Sequence, residues 1–158
     1  MNEQLLAKAV IKLLSKSKST LSIAESVTAG GLASALTEVA GASKVFLGGV
    51  IVYSDDLKLS QLGVSKSDLK KYTAVSEEVA IAMAQSARKQ FKTDFAISTT
   101  GVAGPGGAYG QKVGTAWVGI ASKKSAFAVA LSLAGDRNSI RHAIINSALA
   151  ALQRILEP

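Results

Sequence analysis

The segment from Gly41 to Lys58, GASKVFLGGVIVYSDDLK, contains three side chains of the types that nucleophilic catalysis needs. Ser43 carries a hydroxyl that can attack a carbonyl carbon, Lys58 carries an amine that can act as a base, and the hydroxyl of Tyr53 can bridge them. A lysine is a useful base near neutral pH only where burial or a neighbouring cation lowers its pKa. The same spacing is also typical of a strand-end tyrosine and a surface lysine, so both interpretations stay open.

Other kinds of catalytic centre find little support in the composition. The chain has no cysteine, which excludes disulfides and thiol chemistry. Transition-metal sites use Cys, His and carboxylates, whereas this chain has one histidine and eleven scattered carboxylates. His142 has no carboxylate close in sequence to orient it, so a Ser-His-Asp arrangement is weakly supported. Asp55 and Asp56 could share a magnesium ion, but adjacent acids are more typical of a solvated turn, and we predict no metal site.

Two glycine-rich segments and two arginines are candidates for binding an anion. AESVTAGG, residues 24–31, places backbone N–H groups near a helix start, and TTGVAGPGGAYG, residues 99–110, follows a strand end, where open α/β sheets bind ligands. Arg137 and Arg141 share one face of the last predicted helix and could grip a phosphate or carboxylate. Structural turns and surface arginines are the alternative interpretations.

Composition and charge indicate one soluble, cytoplasmic domain. The chain has 158 residues and a net charge of +7, with 48% hydrophobic residues but no apolar run as long as the ~20 residues of a membrane span. Its lysines are scattered and only eight residues are Phe, Tyr or Trp, so stacking surfaces for single strands would be sparse. We therefore expect neither nucleic acid nor a membrane as a partner. The basic balance suits a phosphorylated small molecule.

Apolar periodicity predicts the elements that must position these side chains. Helices are predicted over residues 4–17, from the Gly-Gly turn to about Gly41, after Ser65, over residues 76–91 and from about Asp136 onward. Strands are predicted over residues 21–24, 48–53, 94–99, 113–122 and 125–134, the last two as a hairpin around Lys123 and Lys124. Alternating helices and strands followed by a hairpin predict a single-domain, three-layer α/β/α sandwich with a mixed β-sheet over residues 1–158.

Seven segments resemble, in order and spacing, the C-terminal domain of the CinA family. They are AESVTAGG, GASKVFLGGVIVYSDDLK, LGV at 62–64, AVSEEVA at 74–80, TTGVAGPGG, VGTAWVGIA and GDRNSIR. The resemblance covers about residues 5–155, and the combination of AES-x-T, G-x-S, Y-S-x-x-x-K and G-[IV]-A-G-P-x-G is highly specific. It extends equally to the stand-alone nicotinamide-nucleotide amidohydrolases of the family (PncC, nicotinamide mononucleotide deamidases). The molybdopterin-binding-like N-terminal domain of full CinA is not expected here.

The resemblance implies that the chain hydrolyses nicotinamide mononucleotide to nicotinate mononucleotide and ammonia without a metal or organic cofactor. It implies Ser43 as the nucleophile, Lys58 as its base and Tyr53 as an assisting hydroxyl. A homo-oligomer is expected, and the alternative function is a nucleotide-binding regulatory domain without catalysis. The residues expected to bind the substrate are Ser26, Thr28, Gly30, Thr100, Gly101, Gly104, Arg137 and Arg141.

The chain departs from the family pattern at two places. Family members usually have AESCTGG, whereas this chain has Val27 and Ala29 within AESVTAGG. The loop GPGGAYGQKVGT lacks the proline often found before VGT and is about one residue shorter. We expect these differences to affect substrate preference more than the type of reaction.

Overall fold

The computed structural model describes residues 2–157, in which helices and strands alternate only at the start and runs of three helices and three strands follow before the last helix. The helices are α1 (Glu3–Ser17), α2 (Gly31–Thr37), α3 (Asp55–Leu62), α4 (Lys66–Tyr72), α5 (Glu77–Phe91) and α6 (Arg137–Leu156). The strands are β1 (Leu21–Glu25), β2 (Phe46–Ile51), β3 (Phe95–Gly101), β4 (Thr115–Ser122) and β5 (Ala126–Ser132). A 3₁₀ turn, Ala42–Lys44, precedes β2.

The strands form one mixed five-stranded sheet in the order β2-β1-β3-β4-β5. β1 pairs in parallel with β2 and β3, while β3–β4 and β4–β5 are antiparallel. The predicted hairpin is therefore confirmed as β4 and β5. Because β1 and β3 are parallel neighbours, their carboxyl ends lie side by side at one edge of the sheet.

Helices cover both faces of the sheet, which confirms the predicted mixed-sheet α/β fold. α1, α2 and α6 pack together on one face, and α5 crosses the other face with α3 and α4 beside it. The apolar stripe of α6 is fully buried, as its spacing predicts. Its members are Ile140, Ile144, Ala148 and Leu152. Among the described helices, none combines the length and apolar character needed to cross a bilayer.

Short polar side chains begin several helices. The Ser76 hydroxyl accepts from the Val79 N–H at 3.3 Å, and the Asp136 carboxylate accepts from the Ser139 N–H at 2.8 Å. Both confirm helix starts that the sequence predicts. Such caps satisfy N–H groups that the first helical turn leaves without partners.

The segment around β2 differs from the prediction. β2 was expected to be a buried strand, but it is an edge strand with one paired side, and alternate residues such as Leu47 and Ile51 are exposed. The sequence analysis also missed α3. Ser54 caps this helix through the Leu57 N–H at 3.2 Å, and Gly63 ends it with a φ of +63°. The serine cap and the terminal glycine define this helix, although the apolar residues between them show only weak helical periodicity.

We predict that Gly119→Ala destabilises the protein by about 1–3 kcal/mol. A Cβ at Gly119 of β4 would overlap the Ala80 carbonyl oxygen and the Ser98 hydroxyl, where α5 packs on the sheet. Urea unfolding measures the effect. Gly106→Ala is the control, because a Cβ there meets nothing within 4 Å. Equal unfolding midpoints for the two variants would show that the contact between α5 and β4 is loose.

Candidate active site

A cavity of about 220 Å³, lined by both apolar and polar residues, lies at the carboxyl ends of β1 and β3. The first turn of α6 and residues 102–109 form part of its wall, and α3 supplies a lysine from beside it. The side chains that carry its chemistry are Ser26, Tyr53, Lys58, Thr100 and Arg137. All five were predicted site residues, Ser26 among those expected to bind substrate, and the fold brings them together around one cavity.

Lys58 is buried in this cavity with 1% of its surface exposed. Its Nζ donates to the Ser26 Oγ at 3.1 Å and to the Val52 carbonyl oxygen at 3.1 Å. The Asp55 carboxylate lies at 3.9 Å, one helical turn earlier. The alternative of a solvated surface lysine is therefore wrong, because the long side chain runs inward from α3 to the end of β1.

Burial lowers the pKa of the Lys58 ammonium below the ordinary lysine value of 10.5, and the Asp55 carboxylate opposes this shift. Removal from water disfavours the charged form of a lysine, whereas a nearby anion favours it. A neutral Lys58 amine could keep its bond to the Val52 carbonyl and accept the hydroxyl proton of Ser26. The pair then has the arrangement of a nucleophile and its base.

Ser26 occupies a sharp turn between β1 and α2. Its N–H donates to the Thr99 carbonyl oxygen at 3.0 Å, and its carbonyl oxygen accepts from the Ala29 N–H at 3.1 Å. Ala29 has a φ of +45°, which lets the chain reverse within this turn. Ser26 is thereby fixed on the sheet, and its hydroxyl faces Lys58.

Ser43 lies apart from this group. It is exposed on the 3₁₀ turn before β2 and lines a separate, open cavity with Phe46 and Leu47. The expected pairing of Ser43 with Lys58 is therefore replaced, within the described residues, by the pairing of Ser26 with Lys58. His142 is also exposed on α6, with its Nδ1 3.0 Å from a Glu3 carboxylate oxygen.

The turn AESVTAGG holds an anion, but this anion belongs to the chain itself. The fully buried Glu25 carboxylate accepts from the Thr28 hydroxyl and from the N–H groups of Gly30, Leu32 and Ala33. Thr28 and Gly30 were predicted to bind the substrate, and the structure instead uses them to bind Glu25. A carboxylate at this place satisfies the free N–H groups at the start of α2 and complements its positive end.

The two predicted arginines each hold one wall of the cavity. Arg141 donates to the carbonyl oxygens of Val27, at 3.2 Å, and Thr28, at 2.6 Å. Arg137 donates to the Gly104 carbonyl oxygen at 2.6 Å and to the Tyr53 hydroxyl at 2.9 Å. Arg137 and Gly104 line the cavity, whereas Arg141 binds the backbone of the turn that follows Ser26.

Hydrogen bonding fixes which polar groups can donate into the cavity. The Thr100 hydroxyl donates to the Ala74 carbonyl oxygen at 2.7 Å, so its oxygen can only accept from a ligand. The Tyr53 hydroxyl accepts from Arg137, so its proton remains available to a ligand. Gly101 lies beside Thr100 in the wall, as predicted. A ligand with both donor and acceptor groups, such as a carboxamide, fits this pattern.

Two functional residues were missed or misassigned from sequence. Ser26 was expected to bind substrate, and its contact with the lysine base was not foreseen. Its position directly after a strand and before a turn and helix was the available signal, because ligands meet α/β sheets at the carboxyl ends of strands. Glu25 was not singled out, because it lies six residues before the start of α2, too far for a recognised capping pattern to mark it.

Comparisons with known proteins place these residues in a family context. Residues 3–156 match the protein family described as the CinA C-terminal domain. A CinA-like protein of Kosmotoga olearia is 44% identical over 157 residues, which is 99% of this chain and 38% of that protein. The chain thus spans less than half of the length of the curated relatives that it matches.

Solved structures agree with the fold over almost the whole chain. The competence/damage inducible protein CihA from Agrobacterium tumefaciens has a TM-score of 0.94 at 32% identity, covering 98% of this chain and 96% of that one. A CinA superfamily protein from Escherichia coli has a TM-score of 0.93 at 33% identity, covering 98% and 90%.

We predict that Glu25→Gln lowers the free energy of unfolding by about 2–4 kcal/mol. The change removes the charge and turns an amide NH₂ toward N–H groups that need an acceptor. Urea unfolding measures the loss. Glu77→Gln, on the exposed first turn of α5, is the matched control and should shift stability by no more than about 0.5 kcal/mol. Equal unfolding free energies for Glu25→Gln and Glu77→Gln would mean that water hydrogen-bonds to the N–H groups at the start of α2.

Proposed function

The chain belongs to the CinA C-terminal domain family, and from this premise we propose that it is an amidohydrolase with Ser26 as nucleophile and Lys58 as base. The proposed substrate is nicotinamide mononucleotide, and the products are nicotinate mononucleotide and ammonia. The proposal rests on one observation above the others. A buried lysine with a lowered pKa donates to a serine hydroxyl inside a cavity at the carboxyl ends of the strands.

In the first half of the proposed reaction, the neutral Lys58 amine takes the hydroxyl proton of Ser26. The Ser26 Oγ attacks the carboxamide carbon and forms a tetrahedral intermediate. The C–N bond then breaks, and the Lys58 ammonium returns the proton to the leaving NH₂ group, which departs as ammonia. The nicotinoyl group remains bound to Ser26 as an ester.

Three polar groups are placed to assist this step. The Val27 N–H follows the nucleophile directly, donates to no acceptor among the described residues, and is our candidate donor to the oxyanion. Each such donor typically contributes about 3–4 kcal/mol to transition-state stabilisation. Tyr53 can donate its hydroxyl proton, and Thr100 can accept from the carboxamide NH₂ that will leave.

The second half regenerates the serine. Lys58, again neutral, takes a proton from water, and the resulting hydroxide attacks the ester carbonyl. The bond to the Ser26 Oγ breaks, and the Lys58 ammonium returns a proton to that oxygen. The chemistry uses one residue as base and then as acid in both halves, and it draws on no metal or organic cofactor.

The dimensions of the cavity fit the reacting ring better than a whole nucleotide. Its volume of about 220 Å³ is below the roughly 300–1,000 Å³ of pockets that enclose drug-sized ligands. The ribose phosphate would therefore lie at the rim. Arg137 is exposed there, and two of its five N–H donors are used by Gly104 and Tyr53. The others have no partner within the described residues and could bind a phosphate, and holding this remote group would keep the amide near Ser26.

We predict that Ser26→Ala lowers kcat for ammonia release by about 10³-fold or more, because it removes the nucleophile. Ser43→Ala should stay within about twofold of the natural protein, since Ser43 is exposed outside the cavity. A coupled ammonia assay with nicotinamide mononucleotide, run with and without EDTA, measures both variants. We expect EDTA to have no effect.

The opposite pattern would contradict the assignment. Full activity of Ser26→Ala together with loss in Ser43→Ala would return the nucleophile to Ser43 and require a second chain to bring it to Lys58. Tight nucleotide binding with no ammonia release by the natural protein would support the non-catalytic nucleotide-binding function instead. Loss of activity in EDTA would contradict the metal-free mechanism.

The pH dependence gives an independent prediction. The active form of Lys58 is neutral, so kcat should rise with pH through a pKa below the ordinary lysine value of 10.5. Asp55 raises this pKa, so Asp55→Asn should move the rising limb to lower pH. Profiles of kcat from pH 5 to 10 for the natural protein and for Asp55→Asn measure the position of the rising limb in each. A limb that stays in place, or that moves to higher pH, would show that another group sets the profile.

A further inference from the structure

A tyrosine on the loop between β3 and β4 bonds to a residue of α3. The Tyr109 hydroxyl donates to the Asp55 Oδ1 at 3.1 Å, and the two residues are 54 positions apart in the chain. Tyr109 and the neighbouring Ala108 and Gly106 line the same cavity as Lys58. One hydrogen bond therefore joins the loop that walls the cavity to the helix that carries the lysine.

The loop adopts a tight turn that presents this side chain. Ala108 and Gln111 exchange two backbone hydrogen bonds, at 3.1 Å and 2.8 Å. Tyr109 and Gly110 between them have φ values of +56° and +71°, as a type I′ turn requires. Gly or Asn is the favoured residue at the first of these positions, and a tyrosine there is conformationally costly. Such a backbone conformation persists where the surrounding structure holds it. Here the side-chain hydrogen bond from Tyr109 to Asp55 is one such restraint.

We propose that Tyr109 and Asp55 are positioning residues whose hydrogen bond latches residues 104–112 over the cavity, forming the wall against which the substrate ring lies. This inference rests on the proposed function for its substrate, but the latch itself is a property of the loop. Partial burial and the Asp55 carboxylate raise the pKa of Tyr109, so the phenol keeps the proton that it donates. Asp55 also lies 3.9 Å from Lys58, which places the latch beside the base.

The second tyrosine of the cavity extends this wall. Tyr53 lines the same cavity, and both Tyr53 and Tyr109 are about half exposed, at 56% and 44%. Aromatic faces at the mouth of a cavity favour a flat ring, and they favour a cationic one more. The nicotinamide ring of the proposed substrate is a pyridinium cation. A latched Tyr109 would therefore contribute to binding and leave the chemical step to Ser26 and Lys58.

Amide hydrogen exchange tests the latch without turnover. Tyr109→Phe removes one hydroxyl, and exchange over residues 104–113 should become roughly three- to tenfold faster, as expected for the loss of one hydrogen bond. Tyr72→Phe, on α4 outside the cavity, is the matched control and should leave this exchange unchanged. Unchanged exchange in Tyr109→Phe would overturn the proposal.

A double-mutant cycle tests the partner and the consequence for binding. Tyr109→Phe and Asp55→Ala should each raise KM for nicotinamide mononucleotide roughly three- to tenfold, measured on the pH plateau of each variant. The double variant should match Asp55→Ala. Asp55→Asn retains an oxygen acceptor and should keep a KM near that of the natural protein. Effects of Tyr109→Phe and Asp55→Ala that multiply in the double variant would overturn the pairing.

The two experiments separate failure of the latch from failure of the proposed function. Faster exchange in Tyr109→Phe, in a chain that releases no ammonia, would uphold the latch and contradict the deamidase. Ammonia release by the natural protein, with exchange and KM unaltered in Tyr109→Phe, would uphold the deamidase and contradict the latch.

Discussion

The burial of one lysine side chain is the constraint on which the site depends. An ammonium group removed from water is costly, and the cost falls when the group is neutral or well bonded. Lys58 is well bonded, because its hydrogen bonds go to a hydroxyl and a carbonyl oxygen, and burial lowers its pKa, which favours the neutral form, while its carboxylate neighbour is no closer than 3.9 Å. A tighter ion pair would stabilise the charged lysine and weaken it as a base. For the proposed base, the distance to Asp55 is therefore a compromise between stability and reactivity.

Around this lysine, charged side chains fix the backbone segments that form the cavity. Glu25 accepts a hydrogen bond from an N–H group at the start of α2. Arg141 donates to a carbonyl oxygen of the turn after Ser26, and Arg137 donates to a carbonyl oxygen of the loop between β3 and β4. Each of these three bonds is made to a backbone group. Groups held in this way need little rearrangement when charge develops nearby, which is the main electrostatic advantage of a preformed site.

The sequence predicts what depends on local pattern and misses what depends on distant pairing. A helix that starts near Asp136 and the buried stripe beginning at Ile140 follow from spacing along one helix, and both are confirmed. The contact between Ser26 and Lys58 joins residues 32 positions apart and depends on the ends of β1 and α3 meeting. Ser43 was assigned as nucleophile from the family resemblance, whereas the contact of Ser26 with Lys58 arises only from the packing of the strand end. The role of Glu25 was likewise hidden, since α2 begins six residues after it.

The mixed sheet has a consequence for how this site could change over evolutionary time. β3 and β4 are antiparallel neighbours, so the loop between them leaves the sheet at Gly101 and returns at Ala116, which is paired with it. Both ends are also tied by backbone bonds between Val102 and its partners Gly114 and Thr115. Insertions or deletions beyond these ties would reshape the cavity wall while the strand register stays fixed. Under the proposed function, the fold thus separates the loop that would select a ligand from the residues that would react, and the first can diversify while the second is preserved.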